Sequence, residues 1–168
     1  MDKTFCIKLY KEAFPEPDIP FETALFENCF KHCRYIKENG KIISMLFALP
    51  CEIKTESRIQ KCIYIYAAAT DNEFRNCGYM AKLIEQLKQT NTPLLLRPAN
   101  DSLIAFYEKL GFKTITAQKS KALPYVCPTE GFELLIQKFP DEETHEKFTA
   151  MYYGEICSDK INFIYTME

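Results

Sequence analysis

Between residues 62 and 115 the chain switches repeatedly between strand-like and helix-like hydrophobic spacing, and this order restricts the fold more than any other feature. Cys62-Ile63-Tyr64-Ile65-Tyr66-Ala67-Ala68-Ala69 is a near-continuous apolar run and reads as a strand. After Arg75-Asn76-Cys77-Gly78-Tyr79-Met80, apolar residues return at helical intervals, at Tyr79 or Met80, Leu83, Ile84 and Leu87. Leu94-Leu95-Leu96-Arg97 reads as a short strand. Pro98-Ala99-Asn100-Asp101 closes it and offers a helix N-cap at Asn100 or Asp101. Leu103, Phe106, Tyr107 and Leu110 then recur at helical spacing, and Gly111 sits where a helix-ending glycine belongs. Phe112-Lys113-Thr114-Ile115 resumes as a strand. Strands alternating with helices predict an α/β fold, a mixed sheet flanked by helices.

Arg75 to Met80 falls where a strand gives way to a helix. The first amide N–H groups of a helix have no partner inside it, and the helix dipole there favours negative charge. A helix start opened by glycine is therefore a natural phosphate seat. The same hexapeptide also suits an ordinary strand-to-helix turn carrying a surface arginine.

The two motifs together resemble the GNAT superfamily of acyl-CoA-dependent N-acyltransferases. Arg75, Gly78 and Met80 fall on the defined positions of its cofactor motif, Gln/Arg-x-x-Gly-x-Gly/Ala, with Met80 departing from the usual small residue. Asn100, followed by Ala105-Phe106-Tyr107-Glu108-Lys109-Leu110-Gly111-Phe112, resembles the second motif. Tyr64-Ile65-Tyr66-Ala67-Ala68-Ala69-Thr70 with Met80 looks more like the Eis-type branch than the histone-type branch. The motifs span residues 62–115, and weaker likeness extends over about residues 5 to 137. The resemblance implies a single GNAT-like domain over 1–137, a twisted mixed sheet whose first edge strand is missing or supplied elsewhere. Residues 138–168 form an extension packed on that domain or on a partner subunit. It also implies acetyl-CoA as acyl donor, an amine as acceptor and no metal.

The remaining sequence fits one domain. At 168 residues with 47% hydrophobic content, the chain buries a core of ordinary size. A net charge of −2, with arginine only at positions 34, 58, 75 and 97, argues against a nucleic-acid surface. No apolar stretch reaches membrane-spanning length, and no signal peptide opens the sequence. The eight cysteines lack Cys-x-x-Cys spacing. Cys29 and Cys33, with His32 between them, lack further ligands of matching spacing, since the other histidine is His145. Reduced thiols in a cytoplasm are expected.

Residues 4–14 and 21–32 carry helical spacing on either side of Pro15-Glu16-Pro17-Asp18-Ile19-Pro20, which must break the first helix. Asn39-Gly40 between two apolar runs predicts a hairpin with a type I′ turn. Thr55 to Arg58 is the next expected turn. The resemblance places the family's last strand before about Ile136, and Asp141-Glu142-Glu143 opens an acidic, helical piece. Ile161 to Tyr165 reads as a strand suited to covering a sheet edge, in this chain or in a second copy, a homodimer.

Acyl transfer sets four tasks. The resemblance assigns the backbone of Arg75, Asn76, Cys77, Gly78, Tyr79 and Met80 to pyrophosphate. An N–H near Ala68, Ala69 or Thr70 polarises the acyl carbonyl, and the three alanines at 67–69 either leave room for the pantetheine arm or pack under a helix. Asn100 contacts that arm in the family, although its position also suits a cap alone. Tyr107 aligns with the family's general acid; its ordinary pKa of about 10 suits handing a proton to a departing thiolate, although its spacing also fits the core. Cys77 is no nucleophile, because the family's chemistry needs no covalent enzyme intermediate. For the proton acceptor, Glu52, Glu73, Glu130, the C-terminal carboxylate and a water chain stay open. Tyr64 and Tyr66 share a strand face and either line the acceptor side or pack in the core. Glu16, Asp18 and Glu22 form an acidic rim in the loop bordering the family's acceptor site, or a solvated loop.

Overall fold

The computed structural model describes residues 1–15, 18–139, 144, 146–158 and 160–163. Two helices come first: α1 (Asp2–Ala13) and α2 (Ile19–Cys29), the second running into a short 3₁₀ turn at Phe30–His32. The Asp18 carboxylate accepts the Phe21 N–H at 3.1 Å and caps α2, so the proline-rich break ends in an ordinary N-cap with Pro20 in the first turn.

The hairpin of β1 (Cys33–Glu38) and β2 (Lys41–Lys54) turns at Asn39 and Gly40, with φ of 48° and 81°. This is the left-handed backbone that a type I′ turn demands. Strand β2 is continuously apolar from Met45 to Cys51 because both of its faces are covered there. Met45, Phe47 and Leu49 face one core, while Leu46 and Ala48 face the other. Met45, Leu46 and Phe47 are fully buried, each removal from water stabilising by roughly 1.5–3 kcal/mol. Beyond the turn at Thr55 to Arg58, closed by Thr55 N–H to the Arg58 carbonyl at 3.0 Å, β3 (Ile59–Thr70) returns antiparallel to β2.

Then follow α3 (Tyr79–Lys88), β4 (Leu94–Leu96), α4 (Ser102–Lys109), β5 (Lys113–Gln118), β6 (Tyr125–Pro128), α5 (Phe132–Lys138), β7 (Lys147–Tyr153) and β8 (Asn162–Phe163). The mixed sheet runs β5-β7-β4-β3-β2, and the far edge of β2 is shared, β1 pairing with its first half and β6 with its second. Strand β8 lies outside β6. Helices α1, α2 and α5 contribute to the core on one face, with Leu9, Phe26 and Phe132. Helices α3 and α4 cover the other, with Leu83, Ile84, Leu87 and Tyr107. The first described element is a helix, and no strand precedes β1 among the described residues.

The second half departs from the sequence expectation. Residues 132–138, at the expected last strand, form α5, anchored by the fully buried Phe132 and Leu135. The antiparallel partner of β5 is instead β7, an interior strand drawn from residues counted with the extension. The intervening segment crosses to the opposite edge, adds β6 to β2 and packs α5 against α2. Asp141, Glu142, Glu143 and His145 lie outside the described residues, as do Ile164 and Tyr165 of the expected terminal strand.

Candidate active site

Strands β3 and β4 run parallel, yet they pair only at Ile63 with Leu94 and Tyr64 with Leu95. From Ile65 to Thr70, β3 continues without a strand partner on that side among the described residues. The opening left there lies at the C-terminal ends of parallel strands, where ligands enter open α/β sheets.

A bulge shapes this part of β3. Met45 pairs with Ala69, but Phe47 pairs with Tyr66, so β3 holds one residue more than β2 between those points. Ala67 absorbs it at a φ of 50°. Tyr66 and Ala67 then contact the same core, whereas Ala68 faces the other. Left-handed backbone costs a non-glycine residue about 1–2 kcal/mol, and bulges of this kind re-aim strand groups beside active sites. Ala67→Val, which adds β-branching to this backbone, is expected to lower the melting temperature by several degrees, and Ala67→Gly to leave it within about 1 kcal/mol of the parent. A thermal melt of both variants checks this.

Past β3, Asp71 accepts the Glu73 N–H at 3.0 Å and pairs with Lys41 at 2.7 Å, which holds its carboxyl below the usual range. This fixes a 3₁₀ turn at Asn72–Phe74. Arg75 is exposed, and its Nε donates to the Thr70 carbonyl at 3.3 Å. Gly78 is the N-cap of α3 with φ of 81°, and a Cβ built there would meet nothing within 4 Å. The Lys82 N–H closes on the Gly78 carbonyl at 2.9 Å. The N–H groups of Gly78, Tyr79, Met80 and Ala81 have no partner among the described residues. Several donors, the positive end of a ten-residue helix and open space before it are the features that an anion seat requires. Met80 packs by its side chain against the α3 core, so its departure from a small residue leaves its N–H free to serve. Tyr79 is tied down from outside, its hydroxyl donating to Glu38 at 2.5 Å.

Tyr107, on α4, is 6% exposed, with Phe106 and Phe112 edge-on at 5.1 and 5.6 Å. Its hydroxyl has no hydrogen-bond partner among the described residues. Burial pushes its pKa up to about 12. It lies near enough to Tyr64, in the part of β3 that pairs with β4, for charge on one to oppose ionisation of the other. Asn100 differs from the capping expectation. Neither it nor Asp101 caps α4 by its side chain; the Asn100 Oδ1 instead accepts the Ser102 hydroxyl at 2.5 Å, and the Asn100 carbonyl accepts the Leu103 N–H. Asn100 is exposed at the mouth of the β4–α4 loop.

The other expected residues separate. Tyr64 is a core residue, 2% exposed and packed on Phe163 at 6.0 Å, with its hydroxyl accepting from the Arg97 backbone N–H. Tyr66 is half-buried and meets the Tyr10 hydroxyl at 3.5 Å. Glu52 lies opposite Lys61, about 30 Å along β3 from Thr70 at strand rise. Glu130 sits in the turn before α5, its carbonyl 3.2 Å from the His32 ring. Glu52 is thereby remote from the opening, whereas Glu130 lines a cavity with Ala48, Ile63 and Leu83. Glu73 pairs with Lys41 at 3.7 Å in solvent. The C-terminal carboxylate and Glu16 lie outside the described residues. Glu22, expected either in an acidic rim beside the acceptor or in a solvated loop, is 5% exposed. Cys77 is exposed, and its thiol points back to the Arg75 carbonyl at 3.5 Å. Cys29 and Cys33 are buried, Cys33 meeting Cys6 at 4.0 Å. No group of three or more His, Cys, Asp or Glu among the described residues is arranged to hold a metal. No helix there is long and apolar enough to cross a membrane.

Residues 2–115 match the acetyltransferase (GNAT) domain family. An agmatine N-acetyltransferase has a similar fold at a TM-score of 0.60 and 13% identity, over 90% of this chain and 94% of that one. So does an N-acetyltransferase of Bacillus subtilis solved with coenzyme A, at 0.58 and 13%, over 89% and 90%. Eis1 of Mycobacterium abscessus gives 0.54 and 9%, over 70% of this chain. Against that protein and a probable N-acyltransferase of Enterococcus faecalis, the chain spans about a third of the other's length, 32% and 33%. No curated protein sequence gives a significant match.

The chain belongs to the GNAT acetyltransferase family. The amides at the start of α3 are of the kind a pyrophosphate needs.

Proposed function

We propose that the chain moves an acetyl group from acetyl-CoA to an amine by direct attack within a ternary complex. One observation carries this reading: the unpartnered amides at the glycine-opened start of α3 stand beside the open edge of β3. Acetyl-CoA supplies the acyl thioester. The amides of Asn76 to Met80 hold its pyrophosphate, with Arg75 at the rim. The backbone of Ala68, Ala69 and Thr70 lies along the pantetheine arm, and one N–H there faces the acyl oxygen; a donor so placed contributes a few kcal/mol to the transition state. Asn100 approaches the arm from the opposite loop. Tyr107, protonated throughout the physiological range, donates to the departing thiolate. The raised pKa weakens it as an acid, but a thiolate leaving into the same apolar surroundings is destabilised too.

Acetyl-CoA is expected to raise the melting temperature, and an amine panel scored by free thiol should show turnover. Stabilisation without turnover on any amine would favour a non-catalytic acyl-CoA-binding or subunit protein that keeps the fold. The structural relatives include enzymes named for agmatine and for ribosomal-protein-S18 alanine, so the panel spans small amines and peptide N-termini. Cys77→Ala should retain most activity, because the reading uses only its backbone. A loss comparable to that of a Tyr107 variant would show instead that the thiol enters the chemistry.

A further inference from the structure

Among the described residues, Glu22 Oε2 is the one side-chain oxygen or nitrogen wholly shut off from solvent that has no hydrogen-bond partner. Its sister oxygen lies 3.4 Å from the Lys11 ammonium, whose side chain is 53% exposed and belongs largely to solvent. The other buried polar side chains are accounted for: Ser44 bonds to Thr70, and Asp71 pairs with Lys41. A carboxylate oxygen removed from water with nothing to accept from is costly, so it calls for a partner that arrives.

Glu22 occupies the first turn of α2, one turn after Asp18. The charges of both oppose ionisation of Tyr10, whose pKa is raised first by burial and then by these neighbours. The Tyr10 hydroxyl lies 3.5 Å from that of Tyr66, the residue just before the β3 bulge. The Tyr10 phenol thus feels the Glu22 charge and meets Tyr66, which belongs to the strand that lies along the acyl group in the reading above. Aromatic rings wall this path. Phe21 meets Tyr66 edge-on at 6.2 Å and Phe139 at 5.4 Å, and Tyr10 meets Phe14 at 4.9 Å. A carboxylate, phenol oxygens and aromatic faces together suit an ammonium ion.

Resting on the proposed acetyl transfer, we propose that Glu22, with Tyr10 and Tyr66, binds a second positive charge of the acceptor, which is therefore a small amine bearing another cationic group. The reacting nitrogen must be neutral to attack, so the charge held at Glu22 belongs to the far end of the molecule.

The test compares 1,4-diaminobutane with 1-aminobutane by thiol release. The parent protein should show a KM for the diamine at least roughly tenfold lower. Glu22→Gln should raise that KM by roughly tenfold to a hundredfold, the range for losing one charged hydrogen bond, with the monoamine and acetyl-CoA KM values little changed. Lys11→Met removes the competing ammonium and should leave the diamine KM equal or lower. If Glu22 merely anchors Lys11, both variants lose stability alike and neither changes the ratio between the two amines; that result overturns the proposal. Should Glu22→Gln not fold, Lys11→Met and Tyr66→Phe decide it, the latter raising the diamine KM alone. Where other amines of the panel react but neither probe reacts or binds, the subsite assignment fails while acetyl transfer stands. Where no amine reacts at all, calorimetry of each probe with the coenzyme A complex decides: diamine binding lost in Glu22→Gln supports the subsite, and no binding overturns it.

Discussion

Gly78→Val is expected to abolish stabilisation by acetyl-CoA. The φ of 81° at Gly78 and the empty space before it give the phosphates direct access to the α3 amides. A valine side chain would project into that space and would press the backbone away from left-handed geometry. The strain alone costs about 1–2 kcal/mol, a few degrees of melting temperature in a domain of this size. Gly40 supplies the control. It has the same φ of 81° and also nothing within 4 Å of a built Cβ, but it lies in the β1–β2 turn. Gly40→Val should therefore lose similar stability and keep the full shift with acetyl-CoA. A Gly78→Val protein that melts cooperatively and still gains the parent's shift would remove the phosphate seat from α3.

The legibility of this chain in its sequence divides near residue 118. Up to there each signal was local. Asn39-Gly40 could only turn one way, the 3.6-residue spacing of Leu83, Ile84 and Leu87 marked α3, and Gly78 stood at its start. The residues after it fold by long-range pairing instead. Phe148, Ala150 and Tyr152 face one core while Met151 and Tyr153 face the other, so β7 shows no alternation to read. Its partners, β5 and β4, lie far away in sequence. Residues 132–138 are as apolar as a strand and became α5 because Phe132 and Leu135 fit against α2.

The site divides in the same manner. The backbone of Arg75 to Met80 was legible because phosphate binding asks for a glycine and a helix start, both local. The bulge at Ala67 was not, since it exists only as a mismatch of register between two strands. Glu22 was visible as an acid but not as a buried one, because its burial arises from tertiary packing, in which the adjacent Phe21 meets both Tyr66 and Phe139. Asn100 shows the converse: a good capping residue by type whose side chain is taken by Ser102.

Tyr107→Phe is expected to lower turnover at least roughly tenfold, within the 10²–10⁴-fold range that general acids contribute when water does not substitute. Phenylalanine keeps the ring that packs between Phe106 and Phe112, so acetyl-CoA binding and the fold should survive. The pH dependence separates this role from packing. An ordinary tyrosine would place an alkaline limb of the rate near pH 10, whereas burial moves the ionisation of Tyr107 to about 12. The parent's rate should therefore hold through pH 10, with any earlier fall due to another group and shared by the variant. Stability gives the second readout. The folded pKa lies above the unfolded one, so the folded chain holds this proton more tightly. The contribution is whole below pH 10 and is lost as pH rises through about 12. Tyr107→Phe should remove that part of the alkaline sensitivity, leaving the part due to Tyr10, Tyr64 and Tyr66, whose pKa values burial also raises. A variant with the parent's turnover but a flatter alkaline stability curve would make Tyr107 a buried core phenol and nothing more. A variant with both effects would place one hydroxyl at the meeting of packing and proton transfer.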